Sequence, residues 1–230
     1  MTLENIQVSI LDNPVWSALT GPHAHLAERA GQAARYPEDV APFYAVPAAS
    51  DERAWADLRT LAGPGGVVVV AGESATPPPG WEVLDVIPGV QLVDAGVAGA
   101  PAPEAVRLTP SDVAEMLDLV ERTRPGPFRT RTVELGTYLG IRRDGVLAAM
   151  AGERLRVPGW TEISAVCTDP AFRGQGLATA LVRALVSGIR ARDERPFMHA
   201  EAANTGAVRL YESLGFRVRT RPVFTVLRGR

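Results

Sequence analysis

The sequence predicts an α/β fold, a mixed and mostly antiparallel sheet flanked by helices, with an additional α/β lobe at its N-terminal end. Three observations carry that reading. Short β-branched runs recur between turn signals, apolar residues recur at helical spacing in several segments, and one strand–turn–helix passage is rich in glycine.

In the first hundred residues, Val15–Ala34 and Asp51–Ala62 read as helices. Ser50 would cap the second, and Trp55, Leu58 and Leu61 form its apolar stripe. Val67–Ala71 and Glu82–Ile87 read as strands. Gly63-Pro64-Gly65-Gly66 precedes a valine run instead of opening a helix after a strand, so it is a turn and not a nucleotide loop. His23 and His25 are too few for a metal site and suit a surface or capping role. Pro and Gly concentrate between Thr76 and Pro103, which places loops there and a boundary near residue 100, dividing the chain into 1–100 and 101–230.

In the second part, Ala105–Leu108 reads as a strand, and Ser111 would cap a helix over Asp112–Thr123 with Val113, Met116, Leu117 and Val120 on one face. Arg124-Pro125-Gly126-Pro127 stops it. Thr137–Arg142 and Val146–Leu155 form a hairpin across Arg143-Asp144-Gly145, because Asp-Gly supplies the positive φ angles of a tight turn. Trp160–Thr168 is a strand ended by Asp169-Pro170. A helix over Gly174–Arg192 carries Leu177, Leu181, Ala184, Leu185 and Ile189 inward, with Arg183, Arg190 and Arg192 outward. A strand at Phe197–Ala200, a helix at Thr205–Leu214 between Asn204 and Gly215, and strands at Val218 and Val223–Leu227 complete the chain.

Composition narrows the class. With 230 residues, 46% hydrophobic and 22% charged, the chain can bury a sizeable core. No apolar run reaches the roughly 20 residues of a membrane span, and Met1–Leu11 lacks the basic start and apolar core of a signal peptide. The single cysteine, Cys167, excludes an internal disulfide and a multi-cysteine metal site. A cytoplasmic protein without membrane partners is the expectation. The net charge of −2 is unevenly spread: residues 1–100 hold 4 Arg against 12 acids, and residues 101–230 hold 20 Arg against 14. A polyanionic ligand would therefore favour the second part. The arginines are scattered without interleaved aromatics, so no nucleic-acid partner is expected.

The passage Ile163–Ala178 concentrates the chemistry. A strand, a short loop and a glycine-bearing helix start leave backbone N–H groups free at the positive end of a helix dipole, which suits a phosphate or pyrophosphate. It is no dinucleotide fingerprint, because Thr179 stands where its last small residue should be and no acidic residue follows at the right distance.

Arg173, Gly176 and Ala178 fill the acetyl-CoA signature of the GCN5-related N-acetyltransferases: Arg or Gln, two residues, Gly, one residue, Gly or Ala. Residues 150–216 most resemble the FR47-like branch, and the resemblance extends over roughly 105–230. It implies an N-acetyltransferase with acetyl-CoA as cosubstrate and no metal, acting on a primary amine of a small molecule or peptide by direct attack in a ternary complex. It implies that Arg173, Gly174, Gln175, Gly176, Leu177, Ala178 and Thr179 hold the pyrophosphate. Val166, Cys167 and Thr168 would pair with the pantetheine through their backbones, and Asn204 would touch the same arm. Glu162 is the implied general base, Glu153 the alternate, and Tyr211 the acid that protonates the leaving thiolate. Bland readings stand beside these: either carboxylate suits an Arg-paired strand position, and Tyr211 lies on the apolar stripe Ala207, Val208, Tyr211, Leu214. Cys167 reads as a buried strand cysteine, since no histidine is linked to it by a motif and His199 stands alone. The rival class is a catalytically silent acetyl-CoA-binding or interaction protein on the same fold, monomer or homodimer in either case. In the FR47-like branch the N-terminal half can be a degenerate copy of the fold, which implies a packing or substrate-shaping role for residues 1–100. The acceptor pocket would be built by the Arg124–Gly136 segment, the Glu153–Trp160 hairpin and the N-terminal lobe, regions that contain Arg129, Arg131, Glu134, Arg154, Arg156 and Trp160, an arginine-rich rim suited to a carboxylate or phosphate.

Overall fold

The computed structural model describes residues 10–47, 52–72 and 77–230. The regular elements are helix α1 (Pro14–Leu19), strands β1 (Glu28–Ala30), β2 (Ala33–Arg35) and β3 (Tyr44–Ala45), helix α2 (Glu52–Ala62), strands β4 (Val67–Gly72), β5 (Trp81–Asp94) and β6 (Val106–Leu108), and helix α3 (Val113–Thr123). After these come strands β7 (Tyr138–Arg143), β8 (Val146–Val157) and β9 (Trp160–Thr168), helix α4 (Leu177–Arg190), strand β10 (Arg195–Glu201), helix α5 (Thr205–Leu214), and strands β11 (Phe216–Thr220) and β12 (Val223–Gly229). The large sheet runs β4-β12-β5-β10-β9-β8-β7-β6, with β11 also pairing β5. Every pair is antiparallel except β9 with β10. This is the mixed, mostly antiparallel sheet expected.

β5 joins the two parts of the chain. Residues 81–88 pair with β12, and the remainder lies between β10 and β11. Pro88-Gly89 marks the hand-over, so the missing proline N–H falls where the ladder changes partner. The Gly89 N–H donates to the Pro222 carbonyl at 2.8 Å, and the Pro88 carbonyl accepts from Ala202 N–H at 2.8 Å. A Cβ on Gly89 would lie 2.7 Å from the Phe224 ring. Within the Pro/Gly-rich stretch expected to be loop, Trp81–Asp94 is thus strand. The boundary expected near residue 100 falls in the connection from β5 to β6, and sheet and core both run across it.

Helices α4 and α5 bury Leu177, Leu181, Leu185, Ile189, Tyr211 and Leu214 against Val90, Leu92, Ala149, Ile163 and Met198. Burial of each large apolar side chain contributes about 1.5–3 kcal/mol. On the opposite face α3 packs Met116 and Leu119 on Tyr138, Leu147 and Met150. Beside it α1 and Phe43 cover Leu155, Trp160 and Phe197. Helix α2 sits on Val68, Val70, Trp81 and Leu227.

Several local expectations change. Val15–Ala34 is not one helix: Gly21-Pro22 follows the end of α1, and β1 and β2 form a hairpin at Gly31, whose φ is +50°. His23 is not on the surface; it is 5% exposed, its Nδ1 lies 2.8 Å from the Tyr36 hydroxyl, and burial pushes its pKa down to about 4. Thr109, not Ser111, opens the helical stretch before α3, its N–H donating to Asp112 at 2.8 Å. The β7–β8 turn has φ of +51° at Asp144 and +82° at Gly145, the positive pair a tight hairpin needs. Helix α4 starts at Leu177, because Gly174 and Gly176 adopt φ of +79° and +75°. The Ser50 cap lies outside the described residues.

Candidate active site

β9 and β10 run parallel from Trp160/Arg195 to Ile163/Met198, and there their pairing ends. Beyond that point Ser164–Thr168 and His199–Glu201 part. Opposite β8 the register slips between Met150 and Gly152, so β9 carries an extra residue, and Ala165 there has φ of +52°. Such a bulge bends the strand and leaves main-chain groups unpaired. A cavity of about 240 Å³ fills the opening. Ser164, Ala165 and Val166 line it from β9, and His199, Ala200 and Glu201 from β10. Asn204, Ala207 and Tyr211 close it from α5, and the loop 124–127 lies across it.

At the end of β9 lies the exposed turn Arg173–Gly176. The N–H groups of Gly174, Gln175 and Gly176 meet no backbone acceptor among the described residues. The first helical bond of α4 is Ala180 N–H to Gly176 O at 3.0 Å, so the N–H groups of Leu177, Ala178 and Thr179 face out of the helix start. A Cβ at Gly174 or Gly176 would meet nothing within 4 Å, so the space over the turn is open. The Arg173 Nε donates to the Thr168 carbonyl at 3.3 Å and ties the turn to β9. Of the residues expected to hold a coenzyme, Val166, Asn204 and Tyr211 line the cavity, whereas Cys167, Thr168 and the turn lie outside it. Asn204 also caps α5, its Oδ1 accepting from Ala207 N–H at 3.1 Å.

Tyr211 answers both descriptions given to it: it is 6% exposed and belongs to the core under α4 and α5, yet it borders the cavity. Burial, then the nearby Cys167, pushes its phenol up to about 12, which keeps it protonated. Burial pushes the Cys167 thiol up to about 11, as befits a strand cysteine and not a nucleophile.

Both carboxylates take the Arg-paired strand position rather than a place on the cavity. Glu162 is fully buried and does not border the cavity. It accepts two hydrogen bonds from Arg154, at 2.8 and 2.7 Å, and a third from His199 Nδ1 at 2.7 Å. Burial alone would raise its pKa, but the Arg154 charge and these bonds outweigh it and hold the carboxyl near 2. Such a group is a weak proton acceptor. Glu153 is tied to Arg192 at 2.9 Å and to the Thr137 N–H at 3.2 Å, away from the cavity. His199, by contrast, does not stand alone. Gln91 Nε2 lies 3.0 Å from its Nε2 and also donates to the Leu11 carbonyl at 2.8 Å, while Gln91 Oε1 accepts from Arg219 at 2.7 Å. An amide nitrogen only donates, so this network assigns the His199 proton to Nδ1 and the lone pair to Nε2. The signal for it was strand parity: His199 is two residues past Phe197, on the face that receives Glu162.

The arginine-rich rim is mostly self-neutralised. Arg131 pairs with Glu134 at 2.8 Å and with Asp39 at 3.3 Å, Arg156 with Glu194 at 2.6 Å, and Arg154 with Glu162. Trp160 is 2% exposed in the core. Of the six residues expected on that rim only Arg154 borders the cavity, whereas the 124–136 segment lines it with residues 124–127 and the first hundred residues with Phe43, Val69 and Ile87. Among the described residues no group of three His, Cys, Asp or Glu could hold a metal, and no helix is long and apolar enough to cross a membrane.

Comparison with known proteins places this geometry in a family. Residues 138–225 match the family described as FR47-like protein. Mycothiol acetyltransferase of Thermobispora bispora is 46% identical over 56 residues, 24% of this chain and 19% of that protein. N-alpha-acetyltransferase RimI of Mycobacterium tuberculosis is 35% identical over 83 residues, 35% of this chain and 51% of that protein. The chain thus spans about a fifth to a half of the length of these curated relatives. A crystal structure from Novosphingobium aromaticivorans, assigned to the GNAT family of acetyltransferases, is 40% identical with a TM-score of 0.88. That match covers 96% of this chain and 98% of that one. Matched over nearly its whole length in sequence and fold, the chain belongs to the GNAT family, the GCN5-related N-acetyltransferases.

Proposed function

We propose that the chain is an acetyl-CoA-dependent N-acetyltransferase that acetylates a primary amine by direct attack in a ternary complex. The observation that carries this reading is the parting of β9 from β10, with Tyr211 at the opening and a turn of unpaired N–H groups at the strand's end. The names of the relatives, mycothiol acetyltransferase and N-alpha-acetyltransferase RimI, support acetyl transfer to an amine.

The residues suit acetyl-CoA by class of group. The N–H groups from Gly174 to Thr179 and the Arg173 side chain offer donors for a pyrophosphate. The freed edge of Val166–Thr168 offers backbone pairing to the amide-bearing pantetheine arm, as an added strand would take it. When bound, the coenzyme supplies an activated acetyl thioester. An N–H near Val166 polarises its carbonyl.

A lysine-like amine has a pKa near 10.4, so about one in 2,500 is neutral at pH 7, a handicap of up to about 4.6 kcal/mol. Glu162 is not the direct base in this scheme. It steadies the Nδ1–H of His199, and His199 accepts the amine proton at Nε2, directly or through one water, once the Gln91 amide yields that lone pair. Tyr211 gives its proton to the departing sulfur, which becomes the CoA thiol. Glu153 keeps a structural role.

The test is calorimetric titration with acetyl-CoA, CoA and a control nucleotide, beside Gly176→Glu. Micromolar binding of acetyl-CoA and CoA that the added carboxylate abolishes, with the variant still folded by circular dichroism, is the expected result. A folded wild type that binds neither would overturn the reading.

A further inference from the structure

The wall of the cavity facing away from β9 is apolar and is built by β4, β5 and β12, outside the strand, turn and helix assigned to the coenzyme. Four side chains form it: Val69 of β4, Ile87 of β5, and Phe224 and Val226 of β12. Their placement follows from register. Phe224 pairs with Ile87, Val226 pairs with Val69, and residues two apart on β12 share a face. Phe43 continues the wall through a bridge to Val69. The four are half-buried, apolar surface turned into a concave site, where a folded chain would otherwise cover it. The wall ends at the candidate base: the His199 ring meets Phe224 edge to face at 5.7 Å between centroids.

Position separates this wall from the coenzyme. A thioester held on the β9 edge places its acetyl carbon in the opening between β9 and β10. The wall lies on β5, β12 and β4, beyond β10 and successive steps of about 4.8 Å away in the sheet. An acceptor whose nitrogen lies at His199 must lay the rest of its body there. The charges nearby do not favour an anionic body. The Arg154 guanidinium is taken by Glu162 and lies 5.0 Å over the Phe43 ring. Among the described residues neither Arg124 nor Glu201, the two exposed charges on the cavity, has an ion pair, and they are opposite in sign.

We infer that the acceptor is a primary amine carrying an apolar body, aromatic or branched aliphatic, seated on Val69, Ile87, Phe224 and Val226. This rests on the acetyltransferase reading and sharpens its substrate class. It replaces the carboxylate- or phosphate-bearing acceptor that the arginines of the sequence suggested. A free amine and the first residue of an apolar peptide share this chemistry.

The experiment uses the full chain, acetyl-CoA and a panel of 2-phenylethylamine, isoamylamine, phenylalaninamide, ethylamine and glutamate, with acetyl-CoA binding measured separately by calorimetry. The expected kcat/KM favours 2-phenylethylamine or isoamylamine over ethylamine on the order of a hundredfold, with glutamate lowest. Turnover of phenylalaninamide at a similar rate points to peptide acceptors, and its absence to free amines; both accord with the inference. In Ile87→Asn, or in Val226→Asn if the first does not fold, the ratio of 2-phenylethylamine to ethylamine falls about tenfold. Acetyl-CoA binding with a preference for ethylamine or glutamate, with no apolar amine acetylated, or with a ratio unmoved by both variants overturns the inference and leaves the acetyltransferase reading standing. Absence of acetyl-CoA binding overturns both.

Discussion

At Glu162 a carboxylate without solvent contact is met by Arg154 and His199, with Gln91 one bond further and Arg219 beyond it. At Gly174–Thr179, near the far end of the same strand, a row of N–H groups of the opposite sign meets no backbone acceptor among the described residues, with open space over Gly174 and Gly176. The first arrangement is complete before any ligand arrives, and the second is completed only by one. A buried charge must be answered inside the protein because desolvation costs several kcal/mol. An exposed N–H is answered by water at little cost until a better acceptor displaces it. Order belongs to the network and affinity to the turn.

The largest expected effect breaks the network. Arg154→Ala leaves the buried Glu162 charge with only the His199 hydrogen bond and costs about 3–5 kcal/mol of stability, read as a lower urea midpoint. Retention of full stability would show that the guanidinium does not hold the carboxylate. Next in size is acidification. The Glu162 carboxyl is held near 2 against an ordinary 4.5, so its contribution is whole above pH 4.5 and is lost as pH falls from 4.5 towards 2. That window is worth roughly 3 kcal/mol. His23, lowered from 6.5 to about 4 by burial, begins a separate loss as pH falls below 6.5. Glu162→Gln should flatten only the lower window in a series of unfolding curves against pH. The smallest effect on the fold belongs to the turn. Arg173→Ala should change stability by less than about 0.5 kcal/mol, because the side chain is exposed. It should still weaken acetyl-CoA binding about fivefold to tenfold in calorimetry. Equal affinity in the variant would remove Arg173 from the coenzyme site.

What the sequence made legible follows the same division. Turn, capping and strand–helix signals are local, so the Gly176 turn, the Asn204 cap, the Asp144-Gly145 hairpin and the Trp160–Thr168 strand lie where they were expected. The network around Glu162 was not legible, because its partners Arg154 and His199, and the Gln91 that meets His199, come from three strands whose register no local pattern states. Glu153 and Glu162 are both buried, Arg-paired carboxylates on neighbouring strands, yet only Glu162 also meets His199. Pro88 misled in the other direction: a residue that normally interrupts a strand sits where β5 changes neighbours and interrupts nothing.

The pairing of β12 with β4 and β5 also governs how the chain is made. Leu227 meets Val68 and Val83, partners separated from it by roughly two-thirds of the chain. Contacts of such separation close slowly, because the entropy of a long loop is lost before any contact rewards it. Neither the ladder of β5 nor the wall of the cavity is complete until β12 has been made and has docked. Until β12 docks, β4 and the first half of β5 present Val67–Val70 and Val83–Val86 as bare edges open to other chains.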